Sequence, residues 1–143
     1  MNARVVRVRS KNDLAEAFAI RTRVFVREQK VPEEIEIDSD DDQALHLLAY
    51  VSGKAVGTAR IVIQNGSAKI GRMAVLKKYR RKRIGTKLLK RAILSARKSA
   101  ATKIYLHAQV PVIEFYRAMG FRCVGRGFDE AGIPHRKMIL SRL

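Results

Sequence analysis

Acidic residues are missing from the whole span between Gln43 and Ile113. That span holds sixteen Lys and Arg, so it carries +16 of the formal net charge of +17, while fourteen basic and thirteen acidic residues elsewhere nearly cancel. A charge excess this local points to an anionic ligand or partner. Cysteine is nearly absent as well. Cys123 stands alone, which excludes an internal disulfide, and with His46, His107 and His135 it shows no paired-ligand spacing, which argues against zinc. Tryptophan is missing, and four Tyr with five Phe leave no evident stacking platform for single-stranded nucleic acid. No apolar run approaches the ~18 residues of a membrane span, and the Arg-rich stretch Met1–Ser10 lacks the apolar centre of a secretory signal. The expectation is a cytoplasmic protein without a membrane partner. It is read as one domain over residues 1–143, large enough to bury about 70% of its unfolded surface, with no repeat, linker or low-complexity tract.

Periodicity gives the organisation. Val5–Arg9 is a short strand, and Ser10 with Asp13 three residues later forms a capping box for a helix carrying Leu14, Ala17, Phe18, Val24 and Phe25, ended before Pro32. Strands follow at Ala44–Val51, Ala55–Gln64 and Ala68–Leu76, joined by turns at Ser52-Gly53-Lys54 and at Asn65-Gly66, a type I′ signal. An amphipathic helix from Ile84 to Ser99 precedes a strand at Lys103–Ala108. A short helix, Val112–Met119, closes on Gly120, and two strands, Phe121–Arg126 and His135–Leu140, flank a turn at Asp129–Pro134. The order β, α, β, β, β, α, β, α, β, β implies an α/β (α+β) chain with a mixed, mostly antiparallel central sheet flanked by helices.

Lys77–Thr86, K-K-Y-R-R-K-R-I-G-T, leaves the fourth strand and opens the amphipathic helix, and six of its ten residues are cationic. Unpaired first-turn N–H groups and fixed positive charge meet there, the chemistry of a phosphate site.

Three segments in order, Met73-Ala74-Val75, Arg80 to Thr86, and Phe115-Tyr116 with Gly120-Phe121, resemble the signature of the GNAT superfamily of acyl-CoA-dependent N-acetyltransferases. V-F-V-R-E-Q at 24–29, E-I-E-I-D at 34–38, H-A-Q at 107–109 and G-I-P-H at 132–135 are similar to its ElaA-like and YjcF-like branch. The resemblance implies a GNAT-like acyl-CoA N-acyltransferase fold and acetyl-CoA as co-substrate, with no metal. Its pantetheine arm would lie on the main chain of Met73 and Val75, and its pyrophosphate on Arg80, Arg81, Lys82, Arg83, Gly85 and Thr86. It also implies that Tyr116 serves the departing thiolate, for which a phenol is a suitable proton donor. The chain departs from the pattern at Arg83, where a Gly is expected and a side chain at positive φ would cost on the order of 1 kcal/mol. It departs again at Ile70-Gly71-Arg72, where relatives carry a basic carboxylate. Glu28, Glu36 and His135 are the remaining candidates for the base or for contact with the acceptor.

Residues 28–42 hold eight of the thirteen acids. Such a run is most often a solvated loop, though here it has the charge to attract a cationic amine acceptor. Its D-x-D-x-D start at Asp38 is no calcium loop, because Gln43 replaces the turn Gly and Ala49 the closing Glu. Lys87, Lys90, Arg91, Arg97 and Lys98 lie opposite the apolar stripe of the basic helix, which raises a second reading, a nucleic-acid- or ribosome-associated module on the same fold. The acceptor, a small molecule or a protein amine, is left open. So is oligomeric state, with edge-strand pairing as one route to a homodimer.

Overall fold

The computed structural model describes residues 2–141. The elements are β1 (Arg4–Arg7), α1 (Lys11–Arg21), α2 (Glu33–Glu36), β2 (Leu45–Val51), β3 (Lys54–Gln64), β4 (Ser67–Val75), α3 (Ile84–Lys98), β5 (Lys103–Gln109), α4 (Ile113–Ala118), β6 (Phe121–Glu130) and β7 (Ile133–Leu140). Seven strands form one sheet in the order β1-β2-β3-β4-β5-β7-β6. Among the described residues only the β4–β5 pair is parallel, and the other neighbours run antiparallel.

Three hairpins turn on two residues each. Ser52-Gly53, Asn65-Gly66 and Ala131-Gly132 all have positive φ, the type I′ geometry that matches strand twist. The last of these corrects the expected turn at Asp129–Pro134, because β6 continues through a bulge between Val124 and Phe128 and reaches Glu130.

The two sheet faces bury different helices. Leu88, Leu89, Ala92, Ile93 and Ala96 of α3 pack on Leu47, Ala49, Ile61, Ile70, Ile104 and Leu106. A close approach needs Gly57, where a Cβ would stand 3.0 Å from Leu88 Cδ1 and 3.3 Å from the Ala74 carbonyl. On the other face α1 starts with Ser10 Oγ accepting from the Asp13 N–H at 3.1 Å and buries Ala17 and Ile20 with Val24 against Leu48 and Ala74. The helix then widens into a π-helical segment, Thr22–Glu28, which carries the chain to the cleft described below.

Two of the five basic residues on the outer face of α3 have structural partners. Lys87 donates to the Ala3 carbonyl at 3.1 Å and Arg91 to the Val5 carbonyl at 3.1 Å, so acceptors of the β1 edge are already engaged. Among the described residues, no helix is long and apolar enough to cross a membrane.

Candidate active site

The cleft starts where two strands part. β4 and β5 pair from Ser67↔Lys103 to Ile70↔Leu106 and then diverge, leaving the β5-facing edge of β4 open beyond Ile70. A bulge lies at the same point: Gly71 pairs with Arg60 and Ala74 with Thr58, so Arg72 and Met73 both stand opposite Ala59. Arg72 adopts φ 47° there. The resulting cleft of about 610 Å³ is walled by Met73, Val75, Gly85, Gln109, Phe115 and Tyr116 on one side, and by Glu36, Asp38, Glu130 and His135 on the other.

The basic loop lies at the cleft mouth, with Arg80 among the lining residues. Arg81 and Arg83 both take φ 62°, the left-handed region that disfavours side chains by about 1–2 kcal/mol. Arg83 precedes α3 without a side-chain cap, so the first-turn amides, those of Gly85 and Thr86 among them, are left for another acceptor. Arg81, Lys82 and Arg83 are exposed. Arg80 is engaged within the protein. Its Nε donates to the Val75 carbonyl at 2.8 Å and its two Nη groups donate to Glu28 at 3.0 and 2.7 Å. That pairing holds the Glu28 carboxyl below its ordinary value and ties the π-helical segment to the loop.

Tyr116 stands on α4 across from β4. Its ring meets Phe115 and Phe121 edge-on, with centroids at 5.0 and 6.1 Å, and its hydroxyl lies 3.8 Å from Met73 Sδ. Burial against this apolar wall pushes the phenol up to about 12, so it stays protonated at any physiological pH.

The acidic segment is not a solvated loop. Arg21, 1% exposed, donates to Glu36 Oε1 at 2.8 Å and to both Asp41 oxygens at 2.7 and 3.0 Å. Arg60 donates to Asp38 and Asp41, and Arg72 donates to Asp38 and to the Glu36 carbonyl. Three arginines from α1, β3 and β4 thus fold the segment onto the sheet. Burial alone would raise the Asp41 carboxyl, yet the bonds from Arg21, the Asp38 N–H and Arg60 hold it well below the carboxylate range. Glu36 keeps one oxygen, Oε2, without a partner among the described residues. The pattern had no means of announcing this network, because its cations lie in three separate elements.

A second cluster was missed outright. β7 pairs with β5 so that His135 lies beside Gln109 and Lys137 beside His107. The extension of β6 brings Glu130 to these histidines: His107 Nδ1 is 2.9 Å from Glu130 Oε1, and His135 Nε2 is 3.7 Å from Oε2. Only His135 was singled out from sequence; Glu130 was read as part of a turn. The signal that could have found it is Phe128, which alternates with Glu130 and continues the strand. Among the described residues no group of three or more His, Cys, Asp or Glu side chains is placed to hold a metal ion. His46 is buried with Nε2 3.0 Å from the Asp41 carbonyl.

Residues 9–142 match the family described as acetyltransferase (GNAT) domain. The chain belongs to the GNAT acetyltransferases. Among its relatives, the uncharacterized N-acetyltransferase YjcF of Bacillus subtilis is 34% identical over 137 residues, covering 95% of this chain and 98% of that one. The crystal structure of Escherichia coli ElaA superposes with a TM-score of 0.86 at 27% identity, over 96% of this acetyltransferase and 99% of ElaA. A Bacillus subtilis acetyltransferase solved in complex with CoA shares the fold, with a TM-score of 0.71 at 18% identity over 99% and 100% of the two chains. The mixed sheet that parts between β4 and β5 is therefore the GNAT fold, and the chain is an acetyltransferase.

Proposed function

We propose that this enzyme transfers an acetyl group from acetyl-CoA to an amine by direct attack of the amine on the thioester. The observation that carries the reading is the parting of β4 from β5 directly beside an uncapped, cationic helix start. An open strand edge offers main-chain donors and acceptors to an amide-bearing arm as it would to another strand. Met73 and Val75 would hold that arm, and the α3 amides at Gly85 and Thr86 with Arg80, Arg81, Lys82 and Arg83 would hold the diphosphate. Gly85 suits this place, because a Cβ there would meet only Phe115 at 3.6 Å, so the backbone stays approachable. The CoA complex of the fold relative is consistent with this assignment. When bound, the co-substrate supplies an activated acetyl carbon.

The chain's own groups do the rest. Tyr116, kept protonated by its apolar surroundings, donates to the sulfur as the C–S bond breaks. Glu28 is paired with Arg80 and does not line the cleft, which leaves it outside the proton chemistry. Glu36 is buried with Oε1 held by Arg21 and Arg72, and His135, whose Nε2 accepts from no donor among the described residues, is the base. Apart from the pocket, positive charge remains on Lys90, Arg97 and Lys98, exposed on α3, and these support the weaker reading of a nucleic-acid-binding module.

Thermal melting separates the two. Stabilisation by acetyl-CoA that survives moderate salt, together with amine-dependent release of free thiol, is expected. Stabilisation by duplex DNA or RNA alone, collapsing as salt rises, would overturn the enzyme reading.

A further inference from the structure

Resting on the acetyl-transfer reading above, we propose that the acceptor nitrogen docks between Glu130 Oε2 and His135 Nε2, entering as a primary ammonium that Glu130 binds and His135 deprotonates. The hydrogen positions follow from the partners. His135 Nδ1 lies 2.6 Å from the Ile133 carbonyl, and a carbonyl only accepts, so Nδ1 carries the hydrogen and the neutral ring presents a bare Nε2. Among the described residues Nε2 has no hydrogen-bond donor. Glu130 is held ionised, its carboxyl kept down to about 2 by the hydrogen bond from His107 and by the charge of Lys69. His107 therefore donates to Oε1, and Oε2 is left free.

Two acceptors thus face each other across 3.7 Å, too far for a hydrogen bond and with no proton between them. A nitrogen bearing at least two hydrogens, about 2.8 Å from each, satisfies both at once. A primary ammonium has three such hydrogens and the opposite charge to Glu130. Phe128 fixes the geometry, meeting His107 edge-on at 4.9 Å and stacking on His135 at 6.0 Å. The groups that face the pair from neighbouring strands are the Lys69 ammonium of β4 and the His107 imidazole of β5. Lys137 of β7 instead lies over the Tyr105 ring at 4.8 Å. Elsewhere on the same wall, Glu36 and Asp38 are engaged by Arg21, Arg60 and Arg72.

The protons balance. The ammonium gives one to His135 Nε2, forming an imidazolium beside the Glu130 carboxylate. The freed amine lone pair forms the C–N bond as the C–S bond breaks. Sulfur takes the Tyr116 proton, the phenolate recovers one from the acetylated nitrogen, and His135 releases its proton to solvent.

The test uses the full chain and two amines, 2-phenylethylamine, which is an ammonium near neutral pH, and aniline, which is not. In E130Q the ratio of KM for 2-phenylethylamine to KM for aniline should rise about tenfold or more, the effect of losing a charge-assisted hydrogen bond. In H135Q, kcat for 2-phenylethylamine should fall about 100-fold, and the acidic limb of its kcat/KM profile should disappear. Retained thermal stabilisation by CoA shows that each variant is folded. If the wild-type chain acetylates both amines and E130Q leaves the ratio unmoved, or H135Q keeps the acidic limb, the docking site is wrong and the acetyl-transfer reading stands. If the wild-type chain is not stabilised by acetyl-CoA and releases no thiol with either amine, both fall.

Discussion

The two walls of the cleft are built in opposite ways. The wall formed by β4, the basic loop and α3 is contiguous in the chain: Met73 to Thr86 supplies its strand edge, its cations and its helix start. The facing wall is assembled from α1, α2, β3, β6 and β7, and its arginine–carboxylate pairs meet across fifteen to thirty-six residues, as in Arg21–Glu36 and Arg72–Glu36. Local conformation shapes the first, through two left-handed arginines and an uncapped helix. Tertiary packing shapes the second, because a buried carboxylate holds its place only while its arginine does. The first wall should therefore tolerate substitution structurally while losing function, and the second should fail in stability.

Substituting Arg21 puts this contrast under the greatest load. Arg21→Ala leaves buried Glu36 with Arg72 and buried Asp41 with Arg60 as their remaining arginine partners and should cost about 3–5 kcal/mol in urea unfolding. A loss below about 1 kcal/mol would mean that water already screens the network. Across from the open β4 edge, on α4, Tyr116→Phe should lower kcat about 100-fold while the acetyl-CoA dissociation constant barely moves. Equal loss in both would reassign the phenol to binding. The smallest effect is expected from Gly85→Glu, with unchanged melting temperature and about tenfold weaker acetyl-CoA binding in calorimetry, because a carboxylate is placed where the diphosphate would lie.

The same division explains what could be read from residues alone. The order of the main elements was readable, because alternation, type I′ turns and the 3.6-residue stripe of α3 are short-range signals. The cationic loop was readable for the same reason, although the left-handed φ at Arg81 and Arg83 came only with the structure. The acidic segment was not. Nothing within residues 28–42 distinguishes Glu36 and Asp41, both buried, from Glu33 and Asp42, both exposed; the distinction belongs to arginines elsewhere in the chain. Glu130 was hidden by the β6 bulge, since Gly125 at φ 72° looks like the end of a strand that in fact resumes. Cys123 is half-buried, with Arg117 Nη2 3.9 Å from its sulfur.

The extra residue in β4 also sets a parity. Before it, the even positions Ala68 and Ile70 belong to the core beneath α3. After it, Ala74 belongs to the core beneath α1, while Met73 and Val75 pack with the α3 side. Inserting or deleting one residue between Gly71 and Val75 would exchange which side chains look into each half of the molecule, even with every other residue intact. Evolution can vary the letters of this strand far more freely than its count.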